Sequence, residues 1–243
     1  MSDLYIHLKN ISYKATIIQV EIYSIQLLRF AHRNADDYSL HDDIHSRNLI
    51  RYLNQLLENI QHDLTEEEIL LLYLACWVHD YGMIINRENH NLYSRYIIQE
   101  SAFLKRVIIY DYFLICLRSL ALSHKYQFDI EDLPKTIYNI RIQLISSIFR
   151  IIDSLDLTSE RCPKEVFDII QKSDSPMSSE SVSYWKSHQA IKSIIIEKDA
   201  IIIVAKNSDA NLLIEHLQNE ISKVKKYLSV AFQIPKISII YES

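Results

Sequence analysis

Only one glycine, Gly82, occurs among the 243 residues of this chain. Hairpins with tight primed turns and phosphate loops built on glycine both need positive φ or close backbone approach, so Walker A and dinucleotide-binding fingerprints are excluded. Helices joined by polar loops suffer least from such a shortage. The three cysteines, Cys76, Cys116 and Cys162, are odd in number, far apart, and set in apolar or helical stretches. They offer no zinc spacing and read as buried thiols of a reducing compartment. No apolar run nears the roughly 20 residues a membrane helix needs, and the opening MSDLYIHLKN lacks a leader-like apolar core, so a cytoplasmic protein without a membrane partner is expected. A formal net charge of −5, from 26 basic and 31 acidic residues, provides no broad cationic field and disfavours a general nucleic-acid surface.

What the chain does have is a composition of 49% hydrophobic residues, enough for a proper core. Apolar positions at helical spacing predict helices over 15–33, from His45 to about Ile60, from Thr65 to near His79, from His90 to Glu100, from Lys105 to His124, and after Pro134 through Asp153. Thr65 followed three residues later by Glu68 is a capping-box signature. Residues 171–183, QKSDSPMSSESVS, are serine-rich and read as a linker. Beyond them KSIIIEKDAIIIVAK predicts two strands, ANLLIEHLQNEISKVKKYLSV an amphipathic helix, and PKISIIYES a last strand. The expected fold is mostly α: a helical bundle over 1–175 with a small C-terminal α+β (ββαβ) appendage over 184–243.

The lone glycine follows an adjacent His79-Asp80 pair in LACWVHDYGM. Neighbouring side chains diverge by about 100° in a helix, so these two converge on one ion only where the helix ends and the backbone bends. Gly82 suits that bend, through positive φ or through close passage of the chain. Taken alone, such a pair is more often a helix-end dipole partner and a turn. Other residues change the balance. His45 begins one predicted helix, His90 begins another and His124 ends a third, while Asp153 lies among Ile151, Ile152 and Leu155, where a carboxylate needs a partner or a metal. Imidazole and carboxylate together suit Zn, Mn, Fe, Co or Ni. Asp156 reads as a helix cap or an ion-pair partner.

The ordered set His45, His79-Asp80, His90, His124 and Asp153 resembles the HD superfamily of metal-dependent phosphohydrolases. The matching blocks are IHSRNLIRYL, LLLYLACWVHDYGM, ENHNLYSRYII, ALSHKY and IFRIIDSLDLTSER, over roughly residues 40 to 165. The HDxGM and DxLDxxxxR patterns look like those of bacterial HD domains that elsewhere occur joined to Hsp90-like ATPase modules. The resemblance implies that His45, His79, Asp80 and Asp153 hold a first divalent transition metal, and that Asp80 bridges to a second completed by His90 and His124. His79 and Asp80 would be the catalytic pair. Several two-metal members carry consecutive histidines where this chain has His124-Lys125, so one ion or two are expected. A cyclic-dinucleotide phosphodiesterase of the GYP type needs a second glycine. The neutral Gly82, Met83 and Ile84 argue against alarmone hydrolases and glutamate-using deoxynucleotidases.

Arg87, Lys125 and Arg161 are candidate contacts to a phosphate group. For Arg87 and Lys125 an ordinary surface charge is the commoner reading, while Arg161 stands near even. Tyr73 and Trp77 read as core, and Tyr81 as an exposed residue able to reach substrate. The expected activity is hydrolysis of a phosphate ester of a nucleotide or related small molecule. The alternatives are a non-catalytic nucleotide or metal sensor and an HD nuclease on single strands. The isoleucine-rich strands could leave an edge for a homodimer, although a helix covering the small sheet is the simpler arrangement.

Overall fold

A computed structural model describes residues 4–31, 42–174, 177–198, 200–228, 231–233 and 236–242. Ten α-helices lie among them: α1 (Ile11–Leu28), α2 (Asp43–Asn59), α3 (Glu66–Val78), α4 (His90–Glu100), α5 (Ala102–Val107), α6 (Asp111–Ser123), α7 (Ile142–Ser154), α8 (Lys164–Gln171), α9 (Ser179–Ala190) and α10 (Asn211–Leu228). Three strands, β1 (Ile191–Glu197), β2 (Ala200–Ala205) and β3 (Lys236–Tyr241), complete the expected ββαβ order around α10. β1 pairs antiparallel with β2, and β3 pairs parallel with β2, so that Ile203 stands between Ile194 and Ile239. The fold is mostly α with a small C-terminal sheet, as the sequence predicts. No helix of the described residues is long and apolar enough to cross a membrane.

Several boundaries differ from expectation, among them the end of the first helix, which stops at Leu28 and not at 33. The first helix begins at Ile11 rather than 15, because the Asn10 side chain accepts from the N–H groups of Ser12 and Tyr13. The polar stretch at 34–43 lies mostly outside the described residues. The predicted helix from Lys105 to His124 is two: the β-branched run Val107-Ile108-Ile109 goes extended at Ile108, with φ −80° and ψ 121°, before α6 starts. The serines read as a linker instead start a helix, since Ser178 Oγ caps α9 by accepting from the Ser181 N–H at 3.1 Å.

α3 occupies the centre. Every residue from Ile69 to Val78 is buried, which is the signature of a helix apolar all round and wrapped by others. α1, α2, α6 and α7 pack on it. Tyr73 and Trp77 are core residues, as expected. The core runs without a break into the sheet, since Ile191, Ile201 and Ile203 belong to the same cluster as Leu49 and Phe149. β1 packs on α2 and α9, and α10 lies along α7.

The N-terminal end of α3 is fixed by polar bonds. Thr65 and Glu68 form the predicted capping box, and the fully buried Glu68 carboxylate also takes Arg141 Nη2 at 2.6 Å and Nε at 2.9 Å. Burial pushes this carboxyl up, but the hydrogen bonds from Arg141 and Thr65 outweigh it and leave it below its ordinary value. A depressed carboxyl stabilises the fold above its unfolded value, about 4.3, and that contribution is lost as pH falls through the folded value. Glu68→Gln is therefore expected to cost about 2 kcal/mol at neutral pH and to flatten the acid limb of stability. Urea unfolding between pH 3 and 7 checks this; a parallel downward offset at every pH would contradict it.

Candidate metal centre

Each of the six residues expected at a metal site stands at the end of a helix, and the ends meet. Asp42 caps α2 by accepting from the N–H groups of Ile44 and His45, which fixes His45 in the first turn. α3 stops at His79, its C-cap, and Asp80 steps to φ −98° and ψ 9°. That bridge conformation swings the carboxylate back over its neighbour, so His79 Nε2 lies 3.3 Å from Asp80 Oδ2. The adjacent pair does converge where the helix ends. His90 opens α4, His124 caps α6, and Asp153 lies in the last turn of α7.

Gly82 serves this corner by close approach and not by positive φ. It sits in a 3-10 turn, Tyr81–Ile84, where a Cβ would land on the carbonyl oxygen of His90 and against the Ser94 amide. Its own N–H donates to Ser94 Oγ at 2.7 Å. The turn and α4 thus meet backbone to backbone, and this contact sets the depth of His90 in the site.

Two groups of ligand atoms result, either of which could hold a metal ion: His45, His79 and Asp153, and Asp80, His90 and His124. In the first, Asp153 Oδ1 lies 3.3 Å from His45 Nε2 and 3.6 Å from His79 Nε2. In the second, Asp80 Oδ1 lies 3.5 Å from His90 Nε2 and 3.7 Å from His124 Nε2. The other oxygen of Asp80, Oδ2, faces the first group, 3.8 Å from His45 Nε2. One carboxylate therefore looks both ways.

The histidines are oriented from behind. His79 Nδ1 donates to the Ala75 carbonyl at 3.1 Å, His90 Nδ1 to the Arg87 carbonyl at 2.5 Å, and His124 Nδ1 to the Ala121 carbonyl at 2.7 Å. His45 Nδ1 meets Asp156 Oδ2 at 2.6 Å. Carbonyls and carboxylates only accept, so each Nδ1 carries a proton and each Nε2 points toward the centre, where its lone pair can take a proton or a metal ion. Yet His90 Nε2 and His124 Nε2 stand 2.8 Å apart, and His45 Nε2 and His79 Nε2 3.4 Å apart. Lone pairs at such distances repel unless a proton or a cation lies between them. Two nitrogens each about 2.0–2.1 Å from a shared ion fall at separations of this order, so the donor set fits a divalent transition metal.

Electrostatics agree. Burial pushes the His79 imidazole down, but the carboxylates of Asp80 and Asp153 outweigh it and hold it up to about 10. His124 is pushed down to about 3 by burial and by the neighbouring His90 and His79. The cluster attracts positive charge at His79 and keeps His124 a neutral nitrogen ligand.

Asp156, expected as a cap or ion-pair partner, is fully buried behind His45. It also accepts from Asn48 Nδ2 at 3.1 Å and has Arg161 Nε at 3.6 Å. It is a positioning residue for the His45 ring. Asp156→Asn is expected to weaken metal affinity roughly 10- to 100-fold and to lower stability by about 2 kcal/mol, since it takes a buried charge from beside Arg161. Competition with a fluorescent chelator measures this, and an unchanged affinity would remove Asp156 from the site.

A cavity of about 300 Å3 opens over the centre. Asp80, His90, His124 and Asp153 form part of its lining, and Arg87, Lys125 and Arg161 all reach it. Lys125 Nζ also donates to the Glu88 carbonyl. Tyr81 does not take part: it is fully buried, with its hydroxyl 2.6 Å from Ser24 Oγ. The expectation of an exposed Tyr81 fails because the 3-10 turn points that ring inward, beside Tyr23.

Residues 35–230 match the model of the HD-CE family. The chain belongs to the HD-CE family. A comparison with curated proteins finds none that matches. The HD-CE match extends past the helical bundle and through α10, so it takes in part of the appendage. As an HD-CE member the chain carries an HD-type domain with a potential His/Asp metal site, and HD domains are generally hydrolases. Tyr184, His216 and Glu220 also line the cavity, from α9 and α10, and went unread in the sequence. Their signal is weak. Tyr184 follows the serine-rich run, and the other two sit on a helix whose amphipathic pattern accounts for them without a site.

Proposed function

We propose that this chain is a metal-dependent phosphohydrolase that cleaves a phosphate ester of a nucleotide or related small molecule. The single observation that supports it most is Asp80, whose two carboxylate oxygens face two separate groups of imidazole and carboxylate ligands. His45, His79, Asp80 and Asp153 would hold one ion, and Asp80, His90 and His124 a second. Divalent metals held there would polarise a phosphoryl oxygen and acidify a water for attack on phosphorus.

The chain's own residues would do the rest. Arg87, Lys125 and Arg161 supply positive charge on the wall of a cavity whose centre is otherwise rich in carboxylates. Guanidinium groups match phosphoryl oxygens in pairs, so the arginines would orient the ester while Lys125 adds a point charge. Asp156 keeps the His45 tautomer fixed. A cavity of about 300 Å3 suits a small ester better than a nucleic-acid strand. A cytoplasmic setting belongs to the same reading, supported by three cysteines that are all buried free thiols.

The test is elemental analysis of the purified protein together with a hydrolysis screen over nucleotides and simple phosphomonoesters, with Mn, Fe, Co, Ni or Zn supplied. Bound metal and release of inorganic phosphate support the reading. A metal-loaded protein that leaves the whole panel intact would overturn it.

A further inference from the structure

We infer that Tyr184, supplied by the C-terminal part of the chain, is a substrate-binding residue that donates a hydrogen bond to the phosphoryl group in the cavity. This rests on the phosphohydrolase reading above and adds the role of a wall that lies outside the sequence blocks resembling the HD superfamily.

Tyr184 lies on α9 and lines the same cavity as Asp80 and Asp153. Its ring is held at a fixed angle. It packs edge-on against His188, with centroids 4.9 Å apart, and His188 is completely buried with Nδ1 donating to the Leu157 carbonyl at 2.9 Å. Burial first, and then the nearby Arg161, push His188 down to about 3, so this support stays uncharged. On the other side of α9, Trp185 stacks on Phe167 in a small separate cluster with Cys162 and Met177. α9 is thereby anchored to the segment that carries Asp156 and Arg161.

The hydroxyl is different. Among the described residues it has no hydrogen-bond partner, in contrast to Tyr81, whose hydroxyl is satisfied by Ser24. Tyr184 is only partly buried, so its hydroxyl is left free to meet what enters the cavity. Burial raises the Tyr184 hydroxyl above the ordinary phenol range, so it is a donor at neutral pH. The charges of Arg161 and Arg87 both act on it. A donor without a protein acceptor, lining the same cavity as Arg87 and Arg161 over a metal-type centre, suits an anion with several acceptor oxygens. A phosphoryl group has that chemistry.

The experiment uses the full chain loaded with Mn and inorganic phosphate as probe. Calorimetric titration of wild type and Tyr184→Phe is expected to show phosphate affinity weakened about tenfold in the variant, a loss typical of one hydrogen bond to a charged group. Metal content and thermal midpoint should match wild type, and with p-nitrophenyl phosphate the KM should rise. Phosphate affinity within twofold of wild type would overturn the inference while leaving the phosphohydrolase reading standing. A variant that loses metal or melts early would also overturn it, by showing a structural role. If metal-loaded wild type binds no phosphate at all, the phosphohydrolase reading falls and Tyr184 with it.

Discussion

An Asp80→Asn protein is expected to fold, to lose metal from both ligand groups, and to hydrolyse phosphate esters roughly a thousand-fold more slowly than wild type. The side chain is buried, 4% exposed, and its two oxygens face different groups, so among the described residues no other side chain serves both. Asparagine keeps the shape but turns one oxygen into an NH2 donor aimed at imidazole nitrogens and removes the negative charge that would bridge the ions. The fold should tolerate this, because the bonds that orient His79, His90 and His124 run to backbone carbonyls and do not involve Asp80. Metal content per chain by plasma mass spectrometry, circular dichroism, and phosphate release are the three readouts. Full activity in Asp80→Asn with metal retained would remove the proposed centre altogether.

Gly82→Ala is expected to destabilise the chain by about 3 kcal/mol. The added Cβ would meet backbone and not the tip of a flexible side chain: the His90 carbonyl and the Ser94 amide both stand in its way. Relief requires α4 to move off the 3-10 turn, which breaks the Gly82 N–H to Ser94 Oγ bond and draws His90 away from His124. Urea denaturation should therefore show lower stability, and metal titration a selective loss at the group that contains His90. A variant as stable as wild type, with both affinities intact, would mean that the turn and helix have slack the packing does not suggest.

The contrast between what was legible and what was not follows from the kind of signal each residue carries. The capping box at Thr65 and Glu68 was readable because both partners lie within four residues and the bond is local. The six metal-type residues were readable because imidazoles and carboxylates at the ends of apolar helices have few other reasons to be there, and all six do converge. Gly82 was flagged for either of two properties, and only tertiary contact with α4 decides between them. Tyr81 and Tyr184 show the limit most plainly. Both are tyrosines beside polar runs, yet one turns inward to Ser24 and the other faces the cavity, because the orientation of each depends on a helix packed against it from elsewhere in the chain. The break between α5 and α6 and the capping role of Ser178 were missed for a simpler reason: β-branched runs and serines are ambiguous until their backbone is seen.

The central helix has one more consequence. Along its 13 residues, about 20 Å, α3 is buried mostly among apolar side chains, and its polar attachments are few: the capped tip at Glu68, the Tyr73 hydroxyl donating to Asn54 Oδ1, the Trp77 N–H donating to the Tyr5 hydroxyl, and the His79 corner. Such an element moves as a stiff rod within a greasy sleeve. The axial position of the His79 tip is therefore referred to the Glu68 and Arg141 mooring at the far end of the same rod, about 16 Å away.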